Sequence, residues 1–412
     1  MTASARDWAA SVAVQALGAA ATLATGLLIA GVFGPQAQGR YGLVRSTADV
    51  FLALALFGLP QSMVQAVHRQ GVSAAGLERA AVRYGGGMLL SWIGVALLLA
   101  IAPIPWPPWL DGPIALAALG VGVCGWLVQG LWRALVLCRG GALLFAWSSL
   151  LPALTLLVAT AFLLAAGSVR FEWALAASGI ASVALANVQL RRLRHHEDWG
   201  PGAPAQLSRL ARSGALAMAQ TLALALQPWL TLLLLRRFDA DTEQLGYFVF
   251  AALVQQLFAL PASFLSPLVL ARISREPDAG GRAVVRRGVP LLAGAVAAAC
   301  IAAALVPWAV PRAFGAAYDA AVPACIWMAL GGPFVIASRL AVSVLLGQGA
   351  FRASAWHAGV RAFATVGCVT AALAAPVAQP ATAAAIAWVA VEALSLAAAI
   401  GWLTLGNERA GR

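Results

Sequence analysis

No lysine occurs anywhere in the 412 residues, and only 10% of them are charged. That poverty excludes a water-soluble domain: soluble chains carry about 25% charged residues, and this one is 62% hydrophobic with a mean hydropathy of +0.85. The net charge of +12 is therefore arginine's alone, and a pI near 11.0 invites a nucleic-acid reading. The arginines sit beside apolar segments, where the positive-inside effect and anionic headgroups account for them, so no nucleic-acid partner is expected.

Cysteine is scarce as well. Cys124, Cys138, Cys300, Cys325 and Cys368 lie in or beside apolar segments with no CxxC spacing, so they read as small packing residues, neither disulfide nor metal ligands. The four histidines are His68, His195, His196 and His357. His195 and His196 precede Glu197 and Asp198 in a polar stretch and read as solvated. There is no GxSxG, no HExxH, no Walker loop and no loop bearing a cluster of carboxylates, so the pieces of an enzyme are missing and no cofactor is called for. The polar start, Met1 to Asp7, precedes an apolar run too long for a cleaved signal, so the first helix is expected to stay.

What the chain has is apolar runs. A hydrocarbon core about 30 Å thick takes about 20 apolar residues of helix. Runs of that kind fall at roughly 8 to 33, 43 to 67, 84 to 104, 112 to 137, 142 to 167 and 171 to 191, then 211 to 235, 245 to 269, 287 to 310, 320 to 346, 353 to 376 and 381 to 404. The expectation is an all-α membrane protein of about twelve transmembrane helices in two six-helix bundles, residues 1–191 and 211–412. A polar linker at 192–210, with Gly200, Pro201 and Pro204, joins them.

Arginines gather in alternate gaps: Arg69, Arg79 and Arg83; Arg139; Arg191 to Arg212; Arg272 to Arg287; Arg352; and Arg409 with Arg412. That face is expected to be cytoplasmic, with both termini and the linker on it, as in a multi-pass protein of a bacterial inner membrane. The opposite gaps, among them 34 to 42, are short and poorer in arginine. Trp106 and Trp109 in one of them read as interfacial anchors.

An internal repeat supports the halves. Leu137 to Trp147 and Leu346 to Trp356 agree at the leucine, at Gly140/Gly349, at Ala146/Ala355 and at the tryptophan, with an offset of 209 residues. An even number of helices per half makes the halves enter the bilayer in the same sense, related by an axis along its normal. That architecture suits alternating access.

Intramembrane charges cost about 2.5 to 3.5 kcal/mol each on insertion scales, so each needs a snorkelling route or a wet location. Arg45 and Asp49, one turn apart, can pair or reach headgroups. Arg133 can snorkel, yet its repeat position falls one turn from Arg339, so the two can face a substrate from the two halves. Arg361 is too deep for easy snorkelling. Glu392, near the middle of the last run, is its partner, a proton carrier or an inert carboxyl. Arg133, Arg339 and Arg361 are thus the candidate lumen residues, and Asp49, Glu392 and Arg45 the candidates for ion coupling or charge pairing. Gln15, Gln129 and Gln220 read mainly as interhelical hydrogen-bonding groups.

Phe33-Gly-Pro-Gln-Ala-Gln-Gly-Arg-Tyr-Gly42, then Gly58-Leu-Pro60, resembles the start of bacterial polysaccharide-unit flippases of the multidrug/oligosaccharidyl-lipid/polysaccharide exporter superfamily. Glu243-Gln-Leu-Gly-Tyr-Phe248, Leu260-Pro261, Pro267 to Arg272 and Phe314-Gly-Ala-Ala-Tyr318 extend the resemblance over most of the chain. It implies a flippase for undecaprenyl-pyrophosphate-linked oligosaccharide units of O-antigen, capsule or exopolysaccharide, with membrane lipids and polysaccharide polymerase machinery as partners. A cationic lumen agrees with this, since arginine's planar fork suits a pyrophosphate. Two rivals remain: a cation-coupled multidrug antiporter of the same superfamily, and a membrane glycosyltransferase or ligase, which the short outer gaps disfavour.

Overall fold

Every backbone polar group that faces lipid has to be satisfied within its own segment, and the helix does this without an edge. The computed structural model describes residues 5–70, 72–101, 112–139, 141–196, 207–238, 240–275, 277–375 and 379–410, and among them it holds twelve α-helices and no strand. These are α1 (Ala5–Leu56), α2 (Leu59–Gln70), α3 (Ala74–Ile101), α4 (Gly112–Arg139), α5 (Gly141–Ala165), α6 (Phe171–His196), α7 (Leu207–Arg237), α8 (Thr242–Arg275), α9 (Pro277–Phe314), α10 (Val322–Gly347), α11 (Phe351–Ala374) and α12 (Pro380–Ala410).

Ten stretches of the described residues are long and apolar enough to cross a bilayer. The first, Ala10–Val67, has 58 residues, or about 87 Å at 1.5 Å per residue, which is far more than one crossing of an approximately 30 Å core. Gly34 breaks it with φ 73° and ψ −170°, a left-handed conformation that a Cβ disfavours. The gap expected at 34 to 42 is therefore not a loop. Pro35 sits in the first turn of the next helical segment, where its missing N–H is harmless, and the helix restarts at once. Helices α6 and α7 likewise extend into the expected linker from both sides; Trp106, Trp109, Pro201 and Pro204 lie outside the described residues.

The chain folds as two compact units. One comprises Met1–Thr25 and Thr47–Met218, the other Gly26–Ser46 and Ala219–Arg412. In the first, α4 packs along α6 at backbone distance: a Cβ on Gly125 would lie 2.1 Å from the Gly179 carbonyl oxygen, so only glycine fits. On the other side of α4, Leu59, Met63 and Leu77 from α2 and α3 bury themselves against Leu127, Leu131 and Leu135. In the second unit α8 packs on α10, and α11 on α12. Pro35 approaches so closely that a Cβ on Gly246 would lie 1.8 Å from its carbonyl oxygen.

Several of the motifs that carry the family resemblance, those around Gln36, Glu243 and Tyr318, are packing devices of this second unit. Tyr318 stacks among Phe250, Phe314 and Tyr247, and its hydroxyl donates to the Ala30 carbonyl at 3.3 Å, which clamps the 26–46 segment to α8 and to the 3-10 turn Ala316–Ala321. Gln36 Nε2 donates to Glu243 Oε1 at 3.2 Å. Large apolar side chains such as Leu90, Phe162 and Phe363 are fully outward, at 71%, 78% and 82% exposure, as lipid-facing residues are.

Candidate functional site

Helix α11 is mostly apolar but carries one buried polar stripe. Ser354, His357, Arg361 and Thr365 recur every three or four residues, so they share a face, and all four are buried. Helix α12 answers with Glu392 and Ser395, three apart and both buried. Between them Arg361 Nη2 donates to Glu392 Oε2 in a salt bridge whose side chains are 1% and 3% exposed. Thr365 Oγ1 donates to the Arg361 carbonyl at 2.8 Å. His357 Nδ1 and Gln220 Oε1 of α7 lie 3.0 Å apart, which ties the stripe to a third helix. The Arg361 Nε and the Ser354 and Ser395 hydroxyls have no hydrogen-bond partner among the described residues.

Arg339 of α10 stands at the margin of this cluster. Its Nη1 donates to Ser263 Oγ of α8 at 3.0 Å, and it is electrostatically coupled to Glu392, which attracts it, and to Arg361, which repels it. Two cations and one carboxylate thus share a low-dielectric layer, with the carboxylate committed to Arg361. Such an arrangement can exchange partners: any cation or proton that takes Glu392 frees a guanidinium.

The other unit holds a different polar layer. Trp126, Gln129 and Arg133 lie on one face of α4, at spacings of three and four. Pro152 of α5 has no N–H, so the Ser148 carbonyl one turn before it loses its helical donor. Gln129 Nε2 donates to that carbonyl. Ser178 Oγ of α6 donates to the Pro152 carbonyl at 2.9 Å and accepts from Trp126 Nε1 at 3.2 Å. Arg133 Nη2 donates to Ser149 Oγ at 2.8 Å, with its guanidinium 4.5 Å from the Phe145 ring centre.

Of the residues singled out by sequence, Arg361 and Glu392 come together, with Arg339 within electrostatic range, all in the second unit. Arg133 belongs to the first unit, held by a serine and a phenylalanine. Arg45 and Asp49 are half-buried on α1, and neither is without a partner. Sequence reasoning missed Ser354, Thr365 and Ser395, and passed over His357. The signal was there, in the three-four spacing of polar residues along an otherwise apolar run.

No family model matches the chain, and no curated protein matches it. Solved structures do. The MATE transporter VcmN of Vibrio cholerae, in its bent form, superposes with a TM-score of 0.65 over 98% of this chain and 97% of its own, at 13% identity. An inward-facing multidrug resistance MATE family transporter of the MOP superfamily gives 0.63 over 96% and 94%, at 14% identity. An outward-facing one gives 0.66 over 97% and 94%, also at 14%. The fold is therefore that of MATE transporters, all-helical with two six-helix halves. These neighbours are transporters, not enzymes. The polysaccharide-unit branch expected from sequence finds no support among them, and the antiporter alternative accords with them better.

Proposed function

We propose that the chain is a secondary transporter that exports an amphipathic organic substrate by alternating access in exchange for a cation, with no chemistry on the substrate. The observation that carries this reading is the buried Arg361–Glu392 pair set in a MATE fold that runs the length of the chain. An intramembrane acid is expensive unless it works. Here Glu392 holds an internal cation, Arg361, and exchanges it for a coupling ion as the transporter cycles. A cationic lumen would repel a cationic drug, but Arg361 contributes no net charge while Glu392 holds it. The arginine distribution supports a bacterial inner-membrane location with the arginine-rich face and both termini on the cytoplasmic side.

One observation favours a second reading, the outward flipping of undecaprenyl-pyrophosphate-linked glycans: Arg133 and Arg339 are each held by a serine hydroxyl, a neutral partner that leaves the guanidinium its charge for an anionic cargo. Proteoliposomes separate the two. Under the first reading an imposed sodium or proton gradient drives a fluorescent cationic dye across the membrane, and Glu392→Gln abolishes the coupling. Glycan movement without dye movement transfers the case to the second reading, and movement of neither rejects both.

A further inference from the structure

The first unit carries an open apolar groove of about 480 Å³ between α3, α4 and α6. Val82, Gly86 and Leu89 line it from α3, Val121 from α4, and Ile180 and Asn187 from α6. The lining is not a buried core: Val82, Leu89, Val121 and Ile180 are 58%, 45%, 45% and 61% exposed. The floor is built from glycine, because α4 and α6 touch at Gly125 and Gly179 and leave no side chain there.

One end of the groove is basic. On α3 the lining positions 82, 86 and 89 continue backwards to Arg79, with Arg83 beside it, and on α6 the lining positions 180, 183 and 187 continue forwards to Arg191. All three arginines are exposed. The antiparallel run of α3 and α6 brings these arginine-bearing ends to the same end of the groove. From Arg79 to Leu89 is about 15 Å at 1.5 Å per residue, or half of an approximately 30 Å hydrocarbon core. The groove with its basic rim is thus one leaflet deep.

We propose that this groove is a binding site for one anionic glycerophospholipid of the surrounding leaflet. Its acyl chain lies over Gly86 and its phosphate meets Arg79, Arg83 and Arg191. Basic pockets between transmembrane helices on the cytoplasmic side recognise such headgroups, and a groove one leaflet deep takes a lipid tail rather than a membrane-spanning helix of a partner. The site is independent of the transporter's cargo.

Neighbouring glycines make the test clean. A Cβ at Gly86 or at Gly87 meets nothing within 4 Å, but Gly86 lines the groove and Gly87 does not. Purified protein is exchanged into phosphatidylglycerol, phosphatidylcholine or undecaprenyl phosphate, and retained lipid is counted by native mass spectrometry, with melting temperature as a check on folding. Wild type retains one phosphatidylglycerol in preference to phosphatidylcholine. Gly86→Phe loses it at least tenfold, and Gly87→Phe keeps it. Val82→Trp, a second filling variant, behaves as Gly86→Phe. Arg83→Ala and Arg191→Ala each lower the preference about fivefold, the ratio for about 1 kcal/mol per basic residue near a charged surface. Equal retention in Gly86→Phe and Gly87→Phe, equal retention of the two phospholipids, preference for undecaprenyl phosphate, or a second copy of the chain protecting the groove each overturns the proposal.

Discussion

Replacing Glu392 by Gln should destabilise the protein more than replacing Arg361 by Met, although the two side chains are partners in one salt bridge. Both are essentially without solvent, at 3% and 1% exposure. Removing one member of a buried pair leaves an uncompensated charge and costs about 3 to 5 kcal/mol. The surroundings split the two cases. Without Glu392, Arg361 and Arg339 remain as two cations that repel each other in a low-dielectric layer. Without Arg361, Glu392 keeps the longer-range attraction of Arg339. Glu392→Gln therefore belongs at or above the upper end of that range and Arg361→Met at or below its lower end.

The double variant Arg361→Met/Glu392→Leu removes both charges and fills the site, and such replacements are neutral or stabilising by about 1 to 4 kcal/mol. The sum of the single effects should then exceed the double by about 8 kcal/mol or more, a coupling far outside ordinary additivity. Denaturant titration in detergent, followed by intrinsic fluorescence, reads all four corners of the cycle. Additive effects, or a milder loss in Glu392→Gln than in Arg361→Met, refute the assignment of Arg361, Glu392 and Arg339 to one electrostatic cluster.

Gln129→Leu strands the Ser148 carbonyl that Pro152 has already deprived of its helical donor, at a cost of about 1 kcal/mol; in a Pro152→Ala background the donor returns and the same substitution should be close to neutral by denaturant titration. Gly125→Leu puts a side chain where a Cβ already meets the Gly179 carbonyl oxygen at 2.1 Å, so overpacking of about 3 kcal/mol or more should remove the monodisperse peak in size-exclusion chromatography. Gly34→Ala forces a Cβ onto φ 73° and should lower stability by about 1 to 2 kcal/mol, read as a lower melting temperature. In proteoliposomes, Arg339→Ala should reduce transport more than Arg212→Ala, an exposed arginine at the start of α7; equal effects would remove Arg339 from any cargo-facing role.

Most of the fold was legible in the sequence because the bilayer imposes a single strong rule, about 20 apolar residues per crossing, and α4, α10, α11 and α12 begin or end within a few residues of the runs read from it. The failures fall where local chemistry competes with that rule. Gly34-Pro35 has the composition of a loop, yet its proline occupies the one helical turn that tolerates it, and the segment after it packs on α8 through contacts that no local pattern encodes. Arg361 and Glu392 could be found singly as charges too deep to snorkel. Their partnership was one of three readings open for Glu392, and spacing could not choose among them, because the pair is made between α11 and α12, 31 residues apart.

The stripe on α11 adds a point about what holds such a site open to change. The Ser354 and Ser395 hydroxyls and Arg361 Nε are buried with no hydrogen-bond partner among the described residues, so the layer contains more polar atoms than those residues satisfy. In hydrocarbon an unsatisfied group costs several kcal/mol, and a layer serving packing alone would be replaced by apolar side chains like those that make up most of both helices. The unsatisfied atoms lie on the same buried stripes of α11 and α12 as the ion pair whose partner exchange the proposed cycle requires, and we propose that the hydroxyls follow Arg361 or a coupling ion as Glu392 changes hands. Ser354→Ala and Ser395→Ala should accordingly leave the melting temperature unchanged or raised while lowering gradient-driven transport severalfold. A fall in stability with transport intact would make the stripe a structural seam and nothing more.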